Sequence, residues 1–89
     1  MPYALLLADE RIWHKDMMGI PRKEMLRIIG RIQELKREPW PDGLQVCRLR
    51  HFALADFRLR VGNYRVLFNR DDECKEVRLL RVLHRSKLY

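Results

Sequence analysis

The hydrophobic pattern changes period near the middle of the chain. Tyr3 to Ala8 is a short apolar run bounded by Pro2 and Asp9, which predicts a buried strand. Asp9 is placed to cap a short helix by accepting from its first free N–H groups. Ile12, Trp13 and Met17 give that helix an apolar stripe, and Gly19 ends it. Pro21 suits the first turn of a second helix, where no N–H is needed. Over 22–37, Met25, Leu26, Ile28, Ile29, Ile32 and Leu35 recur at three- and four-residue steps, with Arg27, Arg31, Glu34 and Lys36 largely between them. This predicts an amphipathic helix lying on a core. Pro39 and Pro41 stop it, and Asp42-Gly43 supplies turn chemistry.

After Gly43 the period becomes two. Val46, Arg48 and Arg50 alternate with Cys47 and Leu49, and Phe57, Leu59 and Val61 alternate with Arg58 and Arg60. Gly62-Asn63 predicts a tight hairpin turn in which both residues can take positive φ, with Tyr64 to Phe68 returning. Asp71-Asp72-Glu73 is a polar turn, and Glu76 to Leu83 forms the last strand. The predicted order is β-α-α-β-β-β-β. Two N-terminal helices cover one face of a mainly antiparallel sheet, an α+β single domain over 1–89. No internal repeat or linker interrupts it.

Charge adds a direction to this plan. The chain has 89 residues and a formal net charge of +7. Residues 1–43 carry 8 basic and 7 acidic side chains, whereas 44–89 carry 11 and 5, and 9 of those 11 are Arg. An apolar fraction of 47% excludes a disordered basic tail. No apolar run approaches the ~20 residues of a membrane span, and the start lacks the basic region of a secretion signal. Cys47 and Cys74 lie far apart without a CxxC pair, so they read as free thiols of a cytoplasmic protein. His14, His51 and His84 are scattered, so no metal site is expected.

Alternation predicts where the arginines go. If Phe57, Leu59 and Val61 meet the helices, Arg58 and Arg60 share the other face, and Arg65 on the returning strand can join them. Such guanidiniums would lie ~5–7 Å apart, within reach of one or two phosphates. The same alternation is equally compatible with a merely solvated outer face. Choice of Arg, with its planar fork and permanent charge, tilts the reading toward an anion site. At the end of the last strand, His84, Arg85, Lys87 and Tyr89 gather groups that move protons or attract anions. A docked terminal aromatic with a solvated basic tip would look the same.

The segment PWPDGLQVCRLR, the hairpin FRLRVGNYRVLF and the ending RVLHRSKLY resemble the RelE/ParE superfamily of toxins from type II toxin–antitoxin modules, the RelE-like branch above all. The resemblance implies a microbial-RNase-like RelE fold. It implies a toxin that cleaves mRNA in the ribosomal A site without metal or cofactor and so inhibits translation. In that reaction the ribose 2′-hydroxyl attacks the adjacent phosphate, leaving a cyclic phosphate and a free 5′-hydroxyl. The family's basic hairpin residues map onto Arg58, Arg60 and Arg65, its basic pair onto His84 and Arg85 as interchangeable candidates, and its terminal tyrosine onto Tyr89. RelE itself has lysine where Arg58 and Arg60 stand. Arg48, Arg50 and Lys87 are expected to contact RNA. A cognate antitoxin with an acidic, partly disordered segment would cover the arginine face. The ParE-like alternative shares the fold but inhibits DNA gyrase by binding, without nuclease activity. The oligomeric state is not implied.

Overall fold

The computed structural model describes residues 2–51 and 53–87. The order is β1 (Ala4–Leu7), α1 (Glu10–Met18), α2 (Arg22–Glu34), β2 (Val46–Arg48), β3 (Phe57–Val61), β4 (Tyr64–Asp71) and β5 (Glu76–His84), with a short 3-10 turn at Arg85–Lys87. The five strands form one sheet in the order β1-β5-β4-β3-β2. β1 runs parallel to β5, and every other neighbouring pair is antiparallel. This is the α+β plan that the periodicities predict.

Local chemistry sets the helix ends. Asp9 Oδ1 accepts from the N–H groups of Arg11 and Ile12, capping α1. Pro21 occupies the N-cap position of α2 without a side-chain cap. The helix stops at Glu34, before the predicted 37. Three tighter i→i−3 bonds, from the N–H groups of Leu35, Lys36 and Arg37, finish the turn. Tyr3 N–H then donates to Lys36 O, fastening the start of the chain to this corner.

Register separates the two faces of the sheet. Leu59 and Val66 are partners, as are Val66 and Val82, and Phe68 and Leu79. These residues are buried together with Trp13, Ile20, Ile28, Ile32 and Leu35, so this is the face the helices cover. Full burial of one such aliphatic side chain stabilises by about 1.5–3 kcal/mol. Only part of the predicted α2 stripe is in this core. Leu26 is 57% exposed and Ile29 40%, because their positions fall outside the arc facing the sheet. A register shift beside Leu67 and Phe68 lets β5 keep both Leu79 and Val82 inward.

One polar assembly closes the far end of the core. Arg70 lies on the helix-side face opposite Val77. Its guanidinium carbon is 4.2 Å from the Tyr3 ring centroid and 4.8 Å from that of Trp40. Its nitrogens donate to Tyr3 OH, Glu38 and Asp72. Burial disfavours its charge, but the hydrogen bonds to Tyr3 and Asp72 outweigh that and raise its pKa. At the other end of β5, beyond the reach of β1, Asp16 of α1 accepts Val82 N–H at 3.2 Å and grips Arg81 through two bonds of 2.7 and 2.9 Å. A side chain thus completes an edge that backbone pairing leaves open. No helix among the described residues is long and apolar enough to cross a membrane.

Candidate nucleic-acid site

The hairpin β3–β4 positions the arginines. Arg60 and Arg65 are direct cross-strand partners, and Arg58 pairs with Leu67, so all three belong to the face away from the helices. Cys47 of β2 lies opposite Arg58 on the same face. The predicted sharing of a face by Arg58, Arg60 and Arg65 therefore holds. Its predicted openness does not. Arg65 is only 7% exposed, and Leu67 on the same face is 1% exposed. The Arg65 Nη1 turns back to donate to Gly62 O and Tyr64 O, both at 2.9 Å. Alternation determines the face of a side chain but not its path once there. A turn with two outward carbonyls offers a buried guanidinium better partners than a row of like charges does. Of the two turn residues only Gly62 takes positive φ, at 57°, rather than both as expected.

His84 takes the opposite face. It pairs with Tyr64, whereas Leu83 pairs with Arg65. The imidazole and Tyr64 rings meet edge to face with centroids 5.3 Å apart. Ser86 N–H donates to His84 Nδ1 at 3.2 Å, and Ser86 Oγ lies 2.9 Å from the same atom. An Nδ1 that accepts from a backbone amide leaves the proton of the neutral ring on Nε2. The ring lines a groove of about 660 Å³ between α1 and the end of β5, shared with Lys15, Asp16, Tyr64, Arg81 and Lys87. The Asp16 carboxylate raises the Arg81 pKa chiefly through their hydrogen bonds, fixing that charge in the groove wall.

Arg85 joins the two faces. Its N–H donates to Asn63 O at 2.7 Å, which seats it beside the hairpin turn. Arg60, Arg65, His84, Arg85 and Lys87 therefore gather at one end of the sheet, wrapped around its rim rather than spread over one surface. Arg48 and Arg50 do not join them. Arg48 pairs with Phe57 at the opposite end of β3, on the helix-side face, with its guanidinium carbon 5.5 Å from the Phe57 ring centroid. Arg50 lies in the exposed bend that follows β2. Tyr89 lies outside the described residues.

Tyr64 and Ser86, which hold His84, were not singled out by the sequence. A residue partnering Tyr64 across a β ladder is identifiable only once register is known. Among the described residues, Asp71, Cys74 and Glu76 bring carboxylate and thiol atoms within 4.8 Å of one another. Asp71 already accepts the N–H groups of Glu73 and Cys74 there, and hydrogen bonding to Asp71 pushes the Cys74 thiol pKa up. Asp71 and Cys74 are committed to the β4–β5 turn, and Glu76 pairs with Arg78. Cys47 and Cys74 are exposed free thiols.

Neither a family sequence model nor a curated protein sequence matches the chain. Solved structures do. A chain of the RelBE2 toxin–antitoxin complex from Mycobacterium tuberculosis superposes with a TM-score of 0.75 at 28% identity, covering 94% of this chain and 99% of that one. The RelB–RelE antitoxin–toxin complex from Methanococcus jannaschii gives 0.73 at 26% identity, covering 94% of each chain. The RelE–RelB complex from Pyrococcus horikoshii gives 0.76 at 24% identity, covering 98% and 99%, and speaks for the fold alone. The fold is thus RelE-like along essentially its whole length. The chain resembles RelE-like toxins of toxin–antitoxin modules in fold as well as in sequence.

Proposed function

We propose that this chain is the toxin of a toxin–antitoxin module and acts as a ribosome-dependent mRNA endoribonuclease. The observation that carries the reading is the gathering of Arg60, Arg65, His84 and Arg85 at the hairpin end of a RelE-like sheet. In the proposed reaction the ribose 2′-hydroxyl attacks the neighbouring phosphorus. The bond to the 5′-oxygen of the next nucleotide breaks, giving a 2′,3′-cyclic phosphate and a 5′-hydroxyl. Arg58, Arg60 and Arg65 stabilise the charge that develops on the phosphate, since fixed cations need no reorganisation as it grows. Arg65 does so from a position already anchored to the turn. His84, with Nδ1 held by Ser86, directs Nε2–H at the leaving oxygen as a hydrogen-bond donor that stabilises its charge, and that oxygen takes its proton from water. Arg85 binds the flanking phosphate. Tyr89, by resemblance, is the candidate base for the 2′-hydroxyl. Arg48, Arg50 and Lys87 remain proposed RNA contacts, Lys87 in the His84 groove and the other two at the far end of β3. The partner is a cognate antitoxin whose acidic segment covers the arginine-bearing end.

Induced expression tests this reading. Mapping mRNA ends by primer extension should show new 5′ ends inside translated regions, with none in untranslated transcripts. Intact mRNA combined with filamentation and DNA damage would replace it with gyrase inhibition.

A further inference from the structure

The proposed site does not use the arginines of α2. Arg27 and Arg31 are one helical turn apart on its exposed side. They line a concavity of about 120 Å³ with Arg60, Gly43, Leu44, Gln45, Val61 and Gly62. That is room for a few waters, or for one anionic group in their place. Arg27 lies directly against the hairpin, with Nη1 3.4 Å from where a Cβ on Gly62 would stand. Arg60 belongs both to this hollow and to the outer face of the sheet. The basic surface therefore continues from the sheet, over the hairpin turn, onto α2.

We propose that Arg27, Arg31 and Arg60 form a second phosphate site, taking a backbone phosphate of the RNA strand next to the one bound at the sheet end. The inference rests on the endoribonuclease reading for the identity of its ligand. Exposed pairs hold Arg27 to Glu24 at 3.3 Å and Arg31 to Glu34 at 3.0 Å. Pairs of this i,i+3 kind are weak and screened by salt. Each occupies one of the five N–H donors of its guanidinium, so the planar forks keep donors for a phosphate. The glutamates tune the site rather than fill it. Two arginines of α2 facing the hairpin across one small polar hollow, with Arg60 at its edge, exceed what solvation of a helix surface requires. A strand engaging both sites would be guided across the hairpin in one direction, which fixes which bond meets His84.

The test uses single-stranded RNA carrying 2′-O-methyl riboses, which binds without being cut, and reads affinity against salt concentration. Each phosphate neutralised on a single strand contributes about 0.7 to the slope of log K against log salt. The double variant Arg27→Gln, Arg31→Gln is expected to flatten the slope by about 0.7 and weaken binding several-fold. The control Arg22→Gln, Lys23→Gln removes the same charge from the same helix outside the hollow. It should keep the wild-type slope. An unchanged slope in the first variant overturns the proposal, and so does an equal loss in the control, which would mean net charge alone. Weaker binding of an acidic peptide with RNA binding intact would also overturn it, assigning the hollow to a protein partner. Ribosomal mRNA cleavage by the wild type, measured in parallel, separates the two levels. Cleavage with an unchanged slope sinks this site alone, and a flattened slope without cleavage sinks the nuclease reading alone.

Discussion

Arg65 binds the hairpin turn with the same guanidinium that borders the proposed phosphate site. Charge-assisted bonds of this kind are worth about 1.5–3 kcal/mol, and their loss leaves turn carbonyls short of a partner. Arg65→Ala should therefore lower unfolding stability by about 1–3 kcal/mol in urea titrations, while Arg65→Lys recovers part of it through a single ammonium. An Arg65→Ala protein as stable as wild type would show that the turn does not need it. Arg60 is exposed and does not hold the turn, so its loss reads on RNA binding and cleavage rather than on the fold. Asp72 gives a second residue-scale expectation. Hydrogen bonds from Tyr3 and then Arg70 hold its pKa below the ordinary 3.8. A carboxylate lowered in the folded state stabilises fully above its unfolded pKa, and that contribution is lost as pH falls through the folded value. Asp72→Asn should thus be less stable than wild type at neutral pH, and the gap should close in acid below about pH 3.8. A gap that persists unchanged at low pH would separate Asp72 from this effect.

Among the elements, α2 shows how much a periodicity specifies. Ile28, Ile32 and Leu35 are buried as their spacing predicts, while Leu26 and Ile29 lie on the flank of the helix in solvent. Ile28→Ala should cost about 2–5 kcal/mol, and Leu26→Gln should stay within about 0.5, both read from chemical denaturation. Comparable costs would mean the flank is packed after all. The strands were legible because period two survives any register. Register itself was not, since it depends on the turn and on the bulge near Leu67. That is why Arg58, Arg60 and Arg65 could be assigned to one face from alternation alone. The face of His84, by contrast, follows only from register, which sets it opposite Tyr64 on the other face. Arg27 and Arg31 read as an ordinary polar helix face, because their nearness to Gly62 and Arg60 is made by packing α2 across the hairpin.

For the molecule as a whole, the excess charge of +7 resolves into a place. The half richest in Arg builds four of the five strands, and one end of the sheet collects Arg60, Arg65, Arg85 and Lys87 around His84, with α2 adding two more arginines at the rim. Arg70 and Arg81 are held in structural ion pairs at the two ends of β5. A basic composition thus divides between cations that hold the fold and cations gathered at one end. The most direct measurement adds purified protein to a translating extract and maps mRNA ends by primer extension for wild type and Arg60→Ala, with melting curves for both. Cleavage within ribosome-bound codons, reduced by at least ~100-fold in an Arg60→Ala protein that melts like wild type, is the expected result. Folded wild-type protein that leaves mRNA intact on active ribosomes, or undiminished cleavage by Arg60→Ala, would contradict the account.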